Sequence, residues 1–86
     1  MTLMISSSVY FLDEAKASFK RMSPDVSRRI LGKIERMRHH LAGDVKRLKH
    51  FVPNYRLRVG DWRVLFEVEA DVIIVHEIKH RSQAYD

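Results

Sequence analysis

Residues 55–68, Tyr-Arg-Leu-Arg-Val-Gly-Asp-Trp-Arg-Val-Leu-Phe-Glu-Val, alternate apolar and charged side chains on both sides of Gly60-Asp61. A Gly-X pair between two such runs predicts a β-hairpin with a two-residue turn. With the turn at Gly60-Asp61, Val59 faces Trp62, Leu57 faces Val64 and Tyr55 faces Phe66. Strand side chains alternate with period two, so these six share one face. The opposite face carries Arg56, Arg58 and Arg63, with Arg58 directly across from Arg63. Like charges placed opposite each other destabilise a sheet. Either long side chains splay apart on a solvated face, or the face receives something strongly anionic. The second reading is preferred, because Glu67 is the one acid of the hairpin expected to share that face.

The rest of the chain obeys the same logic. Residues 4–11 contain a first strand, with Val9, Tyr10 and Phe11 its best strand formers. Leu12, Ala15, Phe19 and Met22 make one apolar stripe and predict a helix over 12–22. Ser23-Pro24-Asp25 is a helix start, with a capping serine, proline at the first helical position and an acid in the first turn. Val26, Ile30, Ile34, Met37 and Leu41 continue as a single face, and Gly43 is the expected stop. Arg28, Arg29, Lys33, Arg36 and Arg38 fall on its polar side and are read as an ordinary solvated face. Residues 43–53 read as a basic connection anchored by Val45, Leu48 and Phe51, with Lys46, Arg47 and Lys49 pointing out. Pro53 keeps it from running straight into a central strand. After a turn at Glu69-Ala70-Asp71, residues 72–78 form a nearly continuous apolar run, the pattern of a strand buried on both faces.

These elements predict one α+β domain spanning residues 1–86, in the order β-α-α-β-β-β. Two antiparallel helices pack on one face of a small, mainly antiparallel sheet. The last three strands form a meander and the first joins an edge.

Charge and composition sharpen this picture. Sixteen Lys and Arg stand against eleven Asp and Glu, for a net charge of +5. That balance favours a polyanionic partner. The bases concentrate at 28–49, 56–63 and 79–81. Without cysteine there is no disulfide, thiolate metal site or cysteine nucleophile. His39, His40 and His50 form no metal set with the scattered acids. No apolar run reaches the length of a membrane span or signal peptide core, so a cytoplasmic location is expected.

The segments from Gly43 to Lys49, from Tyr55 to Val68, and His80-Arg81 with Tyr85 together resemble the RelE/ParE superfamily of bacterial type II toxins, the RelE branch above all. The resemblance covers nearly the whole chain. It implies a small basic endoribonuclease that cleaves messenger RNA in the ribosomal A site without a metal or other cofactor. It also implies a cognate antitoxin and a complex that binds operator DNA. In the family pattern two basic residues lie on the first hairpin strand, here Arg56 and Arg58. An arginine comes after the turn, here Arg63, and an arginine and a tyrosine lie near the C-terminus, here Arg81 and Tyr85. The best-known members carry lysines where this chain has Arg56 and Arg58, and glycine where it has Lys79. Arginine stays protonated near neutral pH, so a general base is harder to assign.

The expected catalytic set is therefore Arg58, Arg63, His80, Arg81 and Tyr85. Arg56, Lys46, Arg47, Lys49 and Lys79 are expected to hold RNA. Arg63 and Arg81 are expected at the surface beside strand ends. His80 has the ordinary pKa for proton transfer near neutral pH and is weighed evenly against a plain surface histidine. His76, inside the apolar run, is expected to be packed and hydrogen-bonded. The alternative function is a ParE-like poison of DNA gyrase without nuclease chemistry.

Overall fold

The computed structural model describes residues 8–40, 43–50 and 52–83. Residues 4–7 of the expected first strand, Leu41, Phe51 and Tyr85 lie outside them, as do the side chains of His39 and His40. The elements are β1 (Ser8–Phe11), α1 (Asp13–Lys20), α2 (Pro24–His40), β2 (Asp44–Arg47), β3 (Tyr55–Val59), β4 (Trp62–Glu69) and β5 (Val72–His80).

The hairpin forms in the expected register. Val59 pairs with Trp62, Leu57 with Val64 and Tyr55 with Phe66. Gly60 has φ +59°, a conformation that suits glycine at the first turn position. The five strands lie in the order β1-β5-β4-β3-β2, antiparallel except for β1, which runs parallel to β5. The apolar run is thus an interior strand, and the first strand sits at an edge.

The expected connection differs in one respect. Its residues 44–47 form β2, antiparallel to β3, with Val45 across from Leu57 and Lys46 across from Arg56. Three of the four residues are charged, as suits an edge strand. Val45 packs against the core, as expected of an anchor.

Both helices cover one face. In α2, the Ser23 hydroxyl accepts a hydrogen bond from the Val26 amide at 3.3 Å, a capping contact. Ile30, Ile34 and Met37 are buried, and Val26 packs beside them. In α1, Ala15 is fully buried, and Ser18 is buried by donating its hydroxyl to the Glu14 carbonyl at 3.1 Å. Phe19 meets Phe11 of β1 edge-on at 5.7 Å. From the sheet come Leu57, Val59, Val64, Phe66, Ile73, Val75 and Ile78. Phe66 stacks on Tyr55 at 5.3 Å.

At the second turn Ala70 has φ +57°. A Cβ in the left-handed region costs roughly 1 kcal/mol. Ala70→Gly is expected to raise the unfolding free energy by up to about 1 kcal/mol, offset in part by the freer unfolded chain. Urea unfolding of the two proteins measures it.

Candidate functional site

Four strands carry one charged row across the face that the helices leave open. Asp44 pairs with Arg58, Arg58 with Arg63, and Arg63 with Lys79. The next row reads Lys46, Arg56, Leu65 and Glu77. Neighbouring strands lie about 4.8 Å apart, so Arg58, Arg63 and Lys79 crowd three cations onto about 10 Å of sheet. Partial relief comes from acids that the hairpin alone does not contain. Asp44 lies 3.4 Å from Arg56 and 3.6 Å from Arg58, and Glu77 lies 3.8 Å from Lys79. The face is therefore less bare of acids than the hairpin sequence implies, because β2 and β5 each place a carboxylate on it.

Arg63 departs from its expected surface position: only 7 % of it is exposed, and only 4 % of Arg56. Its side chain folds back along the strand. Nη1 donates to the Gly60 carbonyl at 3.0 Å and to the Trp62 carbonyl at 3.2 Å. Those bonds support a charge that burial would otherwise penalise. Arg81 is exposed, as expected. Its amide donates to the Asp61 carbonyl at 2.7 Å and its guanidinium lies 3.7 Å from the Asp61 carboxylate. Arg29 of α2 reaches the same turn. A Cβ added at Gly60 would come within 2.8 Å of its Nη2. Guanidinium groups from α2, β4 and the end of β5 thus converge on Gly60-Asp61. Arg29 is a member that sequence reasoning placed on a solvated helix face. Helical periodicity holds no signal for it, since its place depends on how α2 crosses the sheet.

His80 is not brought together with Arg58 and Arg63. It pairs with Trp62 in the register, so both rings stand on the helix side. The rings meet edge-on at 5.1 Å. The Ser82 amide donates to His80 Nδ1 at 3.3 Å, and the Ser82 hydroxyl lies 3.1 Å from it. With Nδ1 accepting, the neutral ring carries its proton on Nε2. His76 does lie on the arginine face, where Nε2 is 2.6 Å from a Glu67 carboxylate oxygen. A β-bulge between Leu65 and Phe66 leaves His76 without a partner in the ladder and re-aims the strand residues beyond it.

Among the RNA-holding candidates, Arg56, Lys46 and Lys79 share the arginine face. Arg47 and Lys49 instead line a recess of about 530 Å³ with Leu48, His50 and Asn54, at the far end of β3 from Gly60. Tyr85 is outside the described residues. Among the described residues no group of three or more His, Asp or Glu side chains is placed to hold a metal ion. No helix among them is long and apolar enough to cross a membrane.

This arrangement can bind an anion and stabilise charge that grows on it, because guanidinium matches phosphate oxygens with paired hydrogen bonds. The family model of the ParE toxin of type II toxin-antitoxin systems matches residues 9–85. Toxin RelE3 of Methanocaldococcus jannaschii is 42 % identical over 43 residues, 50 % of this chain and 49 % of that protein. The match therefore spans about half of that relative's length. Among solved structures, the RelB-RelE antitoxin-toxin complex of Methanococcus jannaschii contains a chain 28 % identical to this one. Its TM-score is 0.72, with 85 % of this chain and 91 % of that chain covered. A chain of the toxin-antitoxin complex RelBE2 of Mycobacterium tuberculosis gives TM-score 0.79 at 15 % identity, covering 90 % and 100 %. One from the archaeal RelE-RelB complex of Pyrococcus horikoshii gives 0.76 at 22 %, covering 93 % and 100 %. The last two speak to the fold alone. With one family model running through almost every element described above, the chain belongs to the ParE toxin family, within the RelE/ParE superfamily of type II toxins.

Proposed function

We propose that this protein is the toxin of a type II toxin-antitoxin pair and an endoribonuclease that cuts messenger RNA in the ribosomal A site, in the cytoplasm. The observation that carries the reading is the convergence of Arg29, Arg63 and Arg81 on the Gly60-Asp61 turn, beside Arg58 and Lys79. In the reaction the 2′-hydroxyl loses its proton and its oxygen attacks the adjacent phosphorus. The bond from phosphorus to the 5′-oxygen breaks, and that oxygen leaves with a proton. The products end in a 2′,3′-cyclic phosphate and a 5′-hydroxyl. Negative charge grows on the phosphate oxygens in the transition state, and preorganised donors there are worth about 2.7–4 kcal/mol each. Arg63 and Arg58 clamp the phosphate, and Arg81 stabilises or protonates the leaving oxygen. Tyr85 stacks on a splayed base or takes part in proton transfer. Lys46 and Lys79 hold the strand along the face, with Arg47 and Lys49 gripping its further phosphates, while Arg56, buried beside Asp44, adds its charge from beneath the surface. No metal takes part in this scheme.

The partner proposed for the silent state is a cognate antitoxin. Its acidic or amphipathic segment covers the Arg56, Arg58 and Arg63 face or the basic segment beside it, and the complex binds operator DNA. The solved relatives are themselves complexes of RelE with RelB.

The alternative, a ParE-like gyrase poison without nuclease chemistry, is the less favoured reading, because the curated relative and the 28 % identical solved chain are RelE toxins. Primer extension on messenger RNA after induction separates the two. A ladder of new in-frame cuts is the expected result. Induction of the DNA-damage response without cuts overturns the nuclease reading.

A further inference from the structure

Three successive amides at the end of β5 each donate a hydrogen bond, two of them to the backbone. The Arg81 amide donates to the Asp61 carbonyl at 2.7 Å and the Gln83 amide to the His80 carbonyl at 2.8 Å. The amide between them, that of Ser82, donates to a side chain, Nδ1 of His80, at 3.3 Å. We infer that His80 is a positioning residue: through that bond it fixes the turn that aims Arg81, and it moves no proton itself. The inference rests on the nuclease reading and adds to it the residue that holds the leaving-group arginine in place.

Arg81 depends on its backbone more than Arg63 does. Arg63 is buried, and the Gly60 and Trp62 carbonyls fix its guanidinium directly. Arg81 is exposed, and its guanidinium meets the Asp61 carboxylate at 3.7 Å, beyond hydrogen-bond length. A long side chain with so loose a contact points where its backbone sends it. That backbone is the turn from His80 to Gln83, with Arg81 at its second position. Misplacing a working group by about 1 Å can cost roughly 100-fold in rate.

His80 suits this holding task better than proton transfer. Its pairing with Trp62 puts the ring on the helix side, while Arg58, Arg63 and Lys79 lie on the other face. The ring meets Trp62 edge-on at 5.1 Å. Nδ1 is engaged by the Ser82 amide, with the Ser82 hydroxyl 3.1 Å away. A side chain that accepts from the amide two residues on has the geometry of an Asx turn, which Asn and Asp make. Imidazole stands in for that carboxamide here, because Nδ1 of His and Oδ1 of Asn each lie one bond beyond Cγ.

That equivalence separates the acceptor from the ring. His80→Phe keeps a ring against Trp62 and loses the acceptor. His80→Asn loses the ring and keeps the acceptor. If packing on Trp62 were the whole role, the Phe variant would work and the Asn variant would not. If His80 carried a proton, both would fail alike.

The test uses the full chain and ribosomes programmed with one short message, well below the melting temperature of every variant. His80→Phe is expected to lower kcat and kcat/KM together by up to about 100-fold. His80→Asn is expected to recover about ten-fold of that loss, the size of one hydrogen bond. In an Arg81→Ala background His80→Phe is expected to cost nothing further, since the group it aims is gone. A parent-like rate in His80→Phe, equal losses in the two variants, or an undiminished loss in the Arg81→Ala background overturns the inference and leaves the nuclease reading standing. Hydrogen exchange of the free protein reads the same link without RNA. The Arg81 and Ser82 amides are expected to exchange up to about ten-fold faster in His80→Phe than in the parent. Unchanged exchange overturns the link from His80 to the turn. If the parent cuts no message, the nuclease reading falls and this inference falls with it.

Discussion

Arg63→Ala is expected to lower RNA cleavage by roughly 100- to 1,000-fold and to abolish growth inhibition. The loss comes from a donor fixed in place before the reaction starts. Arg63 is held by the Gly60 and Trp62 carbonyls, so its guanidinium need not reorganise when the phosphate becomes more negative. The same burial adds a second effect. Removing the side chain strips those two carbonyls of a donor, which costs about 1–3 kcal/mol where the group is out of water. Activity and stability should therefore fall together in Arg63→Ala. Arg81→Ala separates them. Arg81 is exposed, so the variant should lose a comparable factor in rate at an unchanged melting temperature. Single-turnover cleavage beside thermal melts of both variants checks the pair. A fully active Arg81→Ala contradicts the convergence of arginines as the working site.

Phe66→Ala is expected to destabilise the fold by about 3–5 kcal/mol, a large part of the 5–15 kcal/mol that holds a domain together. Phe66 is fully buried in the middle of the sheet, on the face that the helices cover, and stacks on Tyr55. It belongs to a core drawn from both helices and three strands, so the space cannot close by moving one side chain. The hairpin would lose both its largest core contact and the ring that fixes Tyr55. Urea unfolding gives the difference, and a change below about 1 kcal/mol would mean that the core repacks.

The hairpin is legible in the sequence because its apolar residues keep period two on both sides of a Gly-X turn. A one-residue slip would turn Arg56, Arg58 and Arg63 into the core. The second helix is legible from Ser23-Pro24 and its stripe. β2 is not. Asp44–Arg47 has one apolar residue in four, and it is a strand because β3 offers it an open edge. The faces of β5 are hidden for a different reason. Residues 72–78 are apolar on both sides, so no alternation shows. The bulge then puts Ile73, Val75, Ile78 and His80 on the helix side and Glu77 and Lys79 on the other. That one irregularity parts His80 from the arginines with which the sequence groups it. For Arg63 the sequence yields the face but not the burial, which comes from the side chain folding back on its own turn. Arg29 carries no local signal, since helix packing brings it to the Gly60-Asp61 turn.

In the proposed reaction the RNA's own 2′-hydroxyl attacks its phosphate in a site built from arginines. A ribosome-bound message carrying a single 2′-deoxynucleotide on the 5′ side of the preferred cut puts that step to the test. The all-ribose message is expected to yield a 2′,3′-cyclic phosphate end, and the 2′-deoxy message to stay intact at that bond. Equal cutting of the two messages would contradict the reaction.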